Sequence, residues 1–198
     1  MTDAIHIHED DWAMRNLYPA ETAGEVAGEM RAAHEAGERN RAPDGVGWTD
    51  IHLIEPPSFD YSNVGLTLAE AAAALEPILP RIKRFNATIF SSIGAEERDP
   101  LGSYEEECWC FGRSENCFIK LEPEGELVRD IWFELRGTDP ADAAAIRAAI
   151  EAVDRLAPSY LADYRLSFEA PVDGEGLDEY FALHAAREAE LASMFRGD

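Results

Sequence analysis

The run from Cys108 to Gly137, CWCFGRSENCFIKLEPEGELVRDIWFELRG, constrains the fold more than any other part of the chain. Its β-branched and aromatic residues fall into three stretches, CWCFG, NCFIKLEP and GELVRDIWFELRG, separated by links too short for a helix. RSE joins the first pair, and Glu124-Gly125 stands at the second turn. Stretches of this composition with links this short read as an antiparallel three-strand meander over about 106–136.

Helical patterns surround it. DPADAAAIRAAIEAVDRLAP at 139–158 carries an Asp cap, a Pro at the first helical position and a stripe of Ile146, Ile150, Val153 and Leu156. Thr22 opens a helix with Val26, Met30 and Ala33 on one stripe, and Thr67 caps a shorter one that ends near Pro77 and Pro80. LDEYFALHAAREAELASMF at 177–195 reads as a closing helix. Further strands are expected at 4–8, 82–94 and near 164–169, and at 48–56, where Trp48, Asp50, His52 and Ile54 alternate with Thr49, Ile51 and Leu53. EDDWAMRNLYP reads as a helical turn between the first strand and Pro19. There is no repeat, no low-complexity linker and no Gly-rich βαβ signature. The expectation is one α+β domain over 1–198, an antiparallel sheet flanked by helices.

The charge balance limits the partners. Asp and Glu number 40 against 17 Lys and Arg, a formal net charge of −23. Phosphate backbones and anionic membranes are repelled by such a surface, so neither nucleic acid nor membrane is an expected partner. A basic protein is. The bases are 15 Arg and two Lys beside much Ala, a composition typical of GC-rich bacterial genomes. The acidic N-terminus lacks the basic and apolar regions of a leader, and the cysteines number only three. A cytoplasmic location with reduced thiols follows as the expectation.

Four stretches hold chemistry-bearing residues. In HIHEDDW, His6 and His8 at i, i+2 share a strand face, and with Asp10 they offer a metal-dependent hydrolase site. The HxHxDH pattern of zinc hydrolases needs His at position 11, where Asp11 stands; His34, His52 or His184 would have to complete the set. The competing reading is a strand running into an acid-started turn. Cys108 and Cys110 with Cys117 lack structural-zinc spacing and read as small buried hydrophobes. The loop at 95–107 carries six acids and one base, with Tyr104 and Trp109 as aromatic anchors; Glu96, Glu97, Asp99, Glu105, Glu106 and Glu107 are the expected contacts to a basic partner. The 56–64 loop, with Phe59, Asp60 and Tyr61, is the second such surface, and the Trp48–Tyr61 region is a place for a small ligand. No GxSxG elbow is present.

Small size, acidity, an α+β order with a meander backed by a helix, and the lack of a catalytic signature make the chain similar in type to bacterial immunity proteins of polymorphic toxin systems. The likeness carries no residue pattern, so it implies a role and no site. The reading is a non-enzymatic acidic protein, of the immunity or antitoxin kind, that occupies the positively charged site of a basic partner such as a cognate toxin domain. No cofactor is expected. The alternatives are the metal-dependent hydrolase and the small-ligand module.

Overall fold

The computed structural model describes residues 3–88 and 104–194. The meander forms as read: β5 (Trp109–Ser114), β6 (Cys117–Glu124) and β7 (Leu127–Leu135) pair antiparallel through two-residue turns. Gly125 takes φ of +64° at the second turn, a conformation that costs glycine no steric penalty. Pro123, which has no N–H to donate, sits where the register shifts between Glu122 and Pro123.

The meander is the middle of a seven-stranded antiparallel sheet. With β2 (Arg15–Pro19), β3 (Arg81–Ile82), β8 (Ser159–Asp163) and β9 (Phe168–Pro171), the order is β3-β5-β6-β7-β2-β8-β9. One face is buried under α2 (Tyr61–Val64), α3 (Leu68–Leu75), α4 (Pro140–Asp154) and α5 (Gly174–Met194). β6 shows how alternation divides the core: Cys117, Ile119 and Leu121 join this large cluster, while Phe118 points into another. On that other side, β1 (Ala4–His8) and β4 (Arg84–Thr88) form a parallel two-stranded ribbon. Ile5, Ile7 and Phe85 of the ribbon pack on Cys110, Phe118 and Trp132. α1 (Ala23–Arg39) covers the far end with Val26 and Met30 against Tyr18 and Ala162. Helices and antiparallel strands thus make one α+β domain.

Four local expectations change. Within EDDWAMRNLYP only Glu9–Asp11 turn, as a 3₁₀ segment; Arg15–Pro19 form β2, which pairs with β7 and β8. All five β2 residues are buried, so the strand has no polar face to advertise its period. Residues 48–56 form no strand. Their pairing is a lone bridge between Trp48 and Arg41, and Pro56-Pro57 removes two donors where pairing would continue. Of the strand expected near 164–169, residues 164–167 form the turn after β8 and the strand itself, β9, begins at Phe168. Leu156 lies beyond the end of α4 and is exposed, not part of its buried stripe. The strand expected at 82–94 is described only to Thr88, as β3 and β4.

Candidate partner-binding surface

HIHEDDW resolves into a strand and a turn. His6 and His8 share one face of β1, since Ile5 and Ile7 are the buried pair. The imidazole Nδ1 of His8 accepts from the Asp10 backbone N–H at 3.2 Å and so caps the 3₁₀ turn. That lone pair serves the turn. Among the described residues no three His, Cys, Asp or Glu side chains gather as a metal-ligand set. Cys108, Cys110 and Cys117 are free and buried, and they separate: the first two lie under the ribbon, Cys117 under the helices. Burial pushes the Cys108 thiol up to about 11 and the Cys117 thiol up to about 12, so both stay protonated at neutral pH.

The acidic loop is only partly in view, because Glu96, Glu97 and Asp99 lie outside the described residues. Its remaining carboxylates have partners within the chain. Glu105 reaches inward to Lys120 at 2.9 Å, Glu106 meets Arg84 at 3.1 Å and Glu107 meets Lys83 at 3.5 Å. Tyr104 lies under the Arg84 guanidinium and Trp109 under that of Arg81, at 4.3 and 4.0 Å. In the 56–64 loop, Asp60 caps α2 through a capping box, and Tyr61 is fully buried with its hydroxyl 2.8 Å from that of Ser159. Phe59 remains half-buried. Asp60 and Tyr61 therefore hold the loop in place, and Tyr61 presents nothing to a partner.

Two buried ionic groups were not legible in the sequence. Lys120 on β6 is fully buried, bonded to both Glu122 oxygens at 2.7–2.8 Å and flanked by the rings of Trp12 and Phe85 at 5.3 and 5.0 Å. The Trp132 indole N–H also donates to Glu122, at 2.8 Å. Burial alone lowers the pKa of an amine; here the two carboxylates outweigh it and hold Lys120 above its ordinary value. The second group is Arg15, buried between Glu134 and Asp163, with the Tyr180 hydroxyl donating to Asp163 at 3.1 Å. Beside it Asp11 bridges Arg136 and Arg165. Burial pushes the Asp11 carboxyl up, but the two guanidiniums together hold it below its usual range. Three cations face three carboxylates there, so the cluster is neutral and internally satisfied. It serves the fold.

The unsatisfied surface lies elsewhere, along residues 46–57. Val46, Trp48, Ile51 and Leu53 are 79, 66, 77 and 75% exposed. Single exposed apolar residues are ordinary, but four large ones within eight positions make a patch. The segment is tethered to α1 from beneath: Glu29 takes His52 Nε2 at 2.7 Å and the Glu55 N–H at 3.2 Å, and Glu25 takes the Ser58 N–H at 3.1 Å. It runs between two open cavities of about 580 and 680 Å³ that share Met14 and Ile54 in their linings. Glu35, Glu38, Asp44, Asp50 and Glu55 are exposed on it, just ahead of it or on α1, against Arg31, Arg39 and Arg41, with Arg41 paired to Glu38 at 2.9 Å; the larger cavity is also lined by Arg165 and Arg187, which are paired with Asp11 and Glu190. The polar and aromatic residues that the sequence offers here are Asp50, His52, Phe59, Asp60 and Tyr61, but the exposed apolar residues carry the signal. A failed strand would have revealed them: both alternating faces of WTDIHLIEP hold large apolar groups.

Compared with known proteins, the chain matches no family model, no curated protein and no solved structure.

Proposed function

We propose that this chain is a non-enzymatic binding protein that receives a basic protein partner, in the manner of an immunity protein covering the positively charged site of a toxin domain. The supporting observation is the 46–53 segment, where four large apolar side chains stand exposed amid surplus carboxylates. Apolar anchors within a charged surround are the anatomy of a specific interface: the anchors hold the complex, and the charges steer and select. The charge complement points to a basic partner. Most of the described cations are already paired within the chain, at Arg84, Arg113, Lys120, Arg129, Arg147 and Arg187 among others. The excess carboxylates therefore face outward without cations of their own.

The test is capture from the host lysate with two immobilised baits, the wild type and an Ile51→Asp/Leu53→Asp variant. Both residues are exposed, so the variant keeps the fold. One basic protein should elute from the wild-type bait at low salt and be depleted at high salt and from the variant. Eluates that do not differ between the two baits contradict the reading.

A further inference from the structure

We infer that the open cavity of about 580 Å³ beneath Trp12 is a receptor for an organic cation, a guanidinium or an alkylammonium group. Its lining joins the open ring of Trp12 and the largely buried Tyr18 and Trp132 to Asp60, Glu122 and Asp130, of which Asp60 also caps α2 and Glu122 also holds Lys120. The cation in that lining is Arg129, and its Nε lies 2.6 Å from Asp130, so the pair is neutral. Behind the wall Lys120 is shared by Glu105 and Glu122 and leaves one negative charge over. The cavity is thus negative on balance, a setting that disfavours anions.

The aromatic geometry selects among cations. Trp12 remains 42% exposed, although its ring is fixed in place, 5.2 Å from Trp132 and edge-on to Phe85 at 5.5 Å. A half-open indole held by its neighbours is a preorganised cation–π surface. The chain already uses this chemistry on itself: the Lys120 ammonium lies 5.3 Å from the same Trp12 ring and bonds to the same Glu122. A strongly hydrated metal ion would not exploit the open indole face of Trp12; a guanidinium or alkylammonium would.

Such a group has two sources, a free small cation or a basic side chain of the proposed protein partner. The second rests on the preceding reading, since Ile54 links the cavity to the exposed segment; the first does not. The experiment is a titration of the ¹⁵N-labelled full chain, following the indole N–H signals of its four tryptophans. The probes are L-argininamide, its neutral isostere L-citrullinamide, tetramethylammonium, and the peptide acetyl-Gly-Arg-Gly-amide. Argininamide should shift Trp12 and Trp132 saturably and leave Trp48 and Trp109 in place, while citrullinamide binds at least tenfold more weakly. Asp130→Asn and Trp12→Phe should each weaken argininamide several-fold, and two variants guard against one that fails to fold. A peptide tenfold tighter than tetramethylammonium assigns the site to a side chain; the reverse, or equality, assigns it to a free cation. Equal binding of argininamide and citrullinamide, or shifts spread over all four indoles without saturation, overturns the proposal. Because Ile51 and Leu53 are outside this readout, its failure is separable from failure of the protein-docking reading.

Discussion

Lys120 shows what one residue can demand of its surroundings. A buried ammonium is tolerated only when its charge and its three donors are answered, and here Glu105, Glu122 and two ring faces answer them. Removing it would strand two carboxylates, of which Glu122 is largely buried. Lys120→Ala is therefore expected to cost about 3–5 kcal/mol, the range for breaking a buried pair from one side. Chemical denaturation of wild type and variant measures it; a loss below about 1 kcal/mol would mean that water relieves the carboxylates. Nothing in FIKLEP announced this arrangement, because a lysine on a strand reads as solvent-facing until the ribbon that covers it is known. Arg15 was hidden for the same reason, its partners Glu134 and Asp163 being remote in sequence.

At the scale of elements, legibility followed the distance over which pairing is decided. The meander and the capped helices α3 and α4 depend on neighbours in sequence, and short turns and caps mark them; the Asp139 carboxylate accepts from the Ala141 N–H as its position implies. β2 depends on strands far along the chain, so its uniformly buried residues looked like a helical turn. The 48–56 segment has strand alternation but no strand to pair with, and its exposed apolar residues became the candidate site. Close strand packing also yields a prediction. At Gly112 on β5, an added Cβ would meet Cys117 O at 2.6 Å and Phe118 Cα at 2.8 Å, both in the neighbouring backbone. Gly112→Ala should cost about 1–3 kcal/mol by overpacking, read as a lowered denaturation midpoint. An unchanged midpoint would show that β5 and β6 can separate at this bulge.

For the whole molecule, titration sets a window of stability. Asp11 is held below its ordinary pKa, so its contribution is present above about pH 4 and is lost as pH falls through the lowered value. Cys108 and Cys117 are raised to about 11 and about 12; their contribution is complete below about pH 8.5 and declines as pH rises through those values. Lys120, also raised, adds its loss above about pH 10.4. Melting temperature should therefore be flat between about pH 5 and 8 and fall on both sides, and a maximum outside that interval would contradict these assignments.

The net charge of −23 was the one functional clue visible in composition; it is the ground for proposing a basic partner and indicates no surface for one. The acidic loop was the obvious choice from sequence, and its Glu96, Glu97 and Asp99 lie outside the described residues; the exposed apolar residues add 46–57 as the surface on which the proposal rests. The most direct test is the affinity of the purified captured partner for the wild type and for Ile51→Asp/Leu53→Asp, each at low and at high ionic strength. Loss of apolar anchors worth about 2 kcal/mol or more predicts at least a thirtyfold weaker complex for the variant, and both proteins should bind more weakly in high salt. An affinity that changes less than threefold with both the variant and the salt would contradict the account.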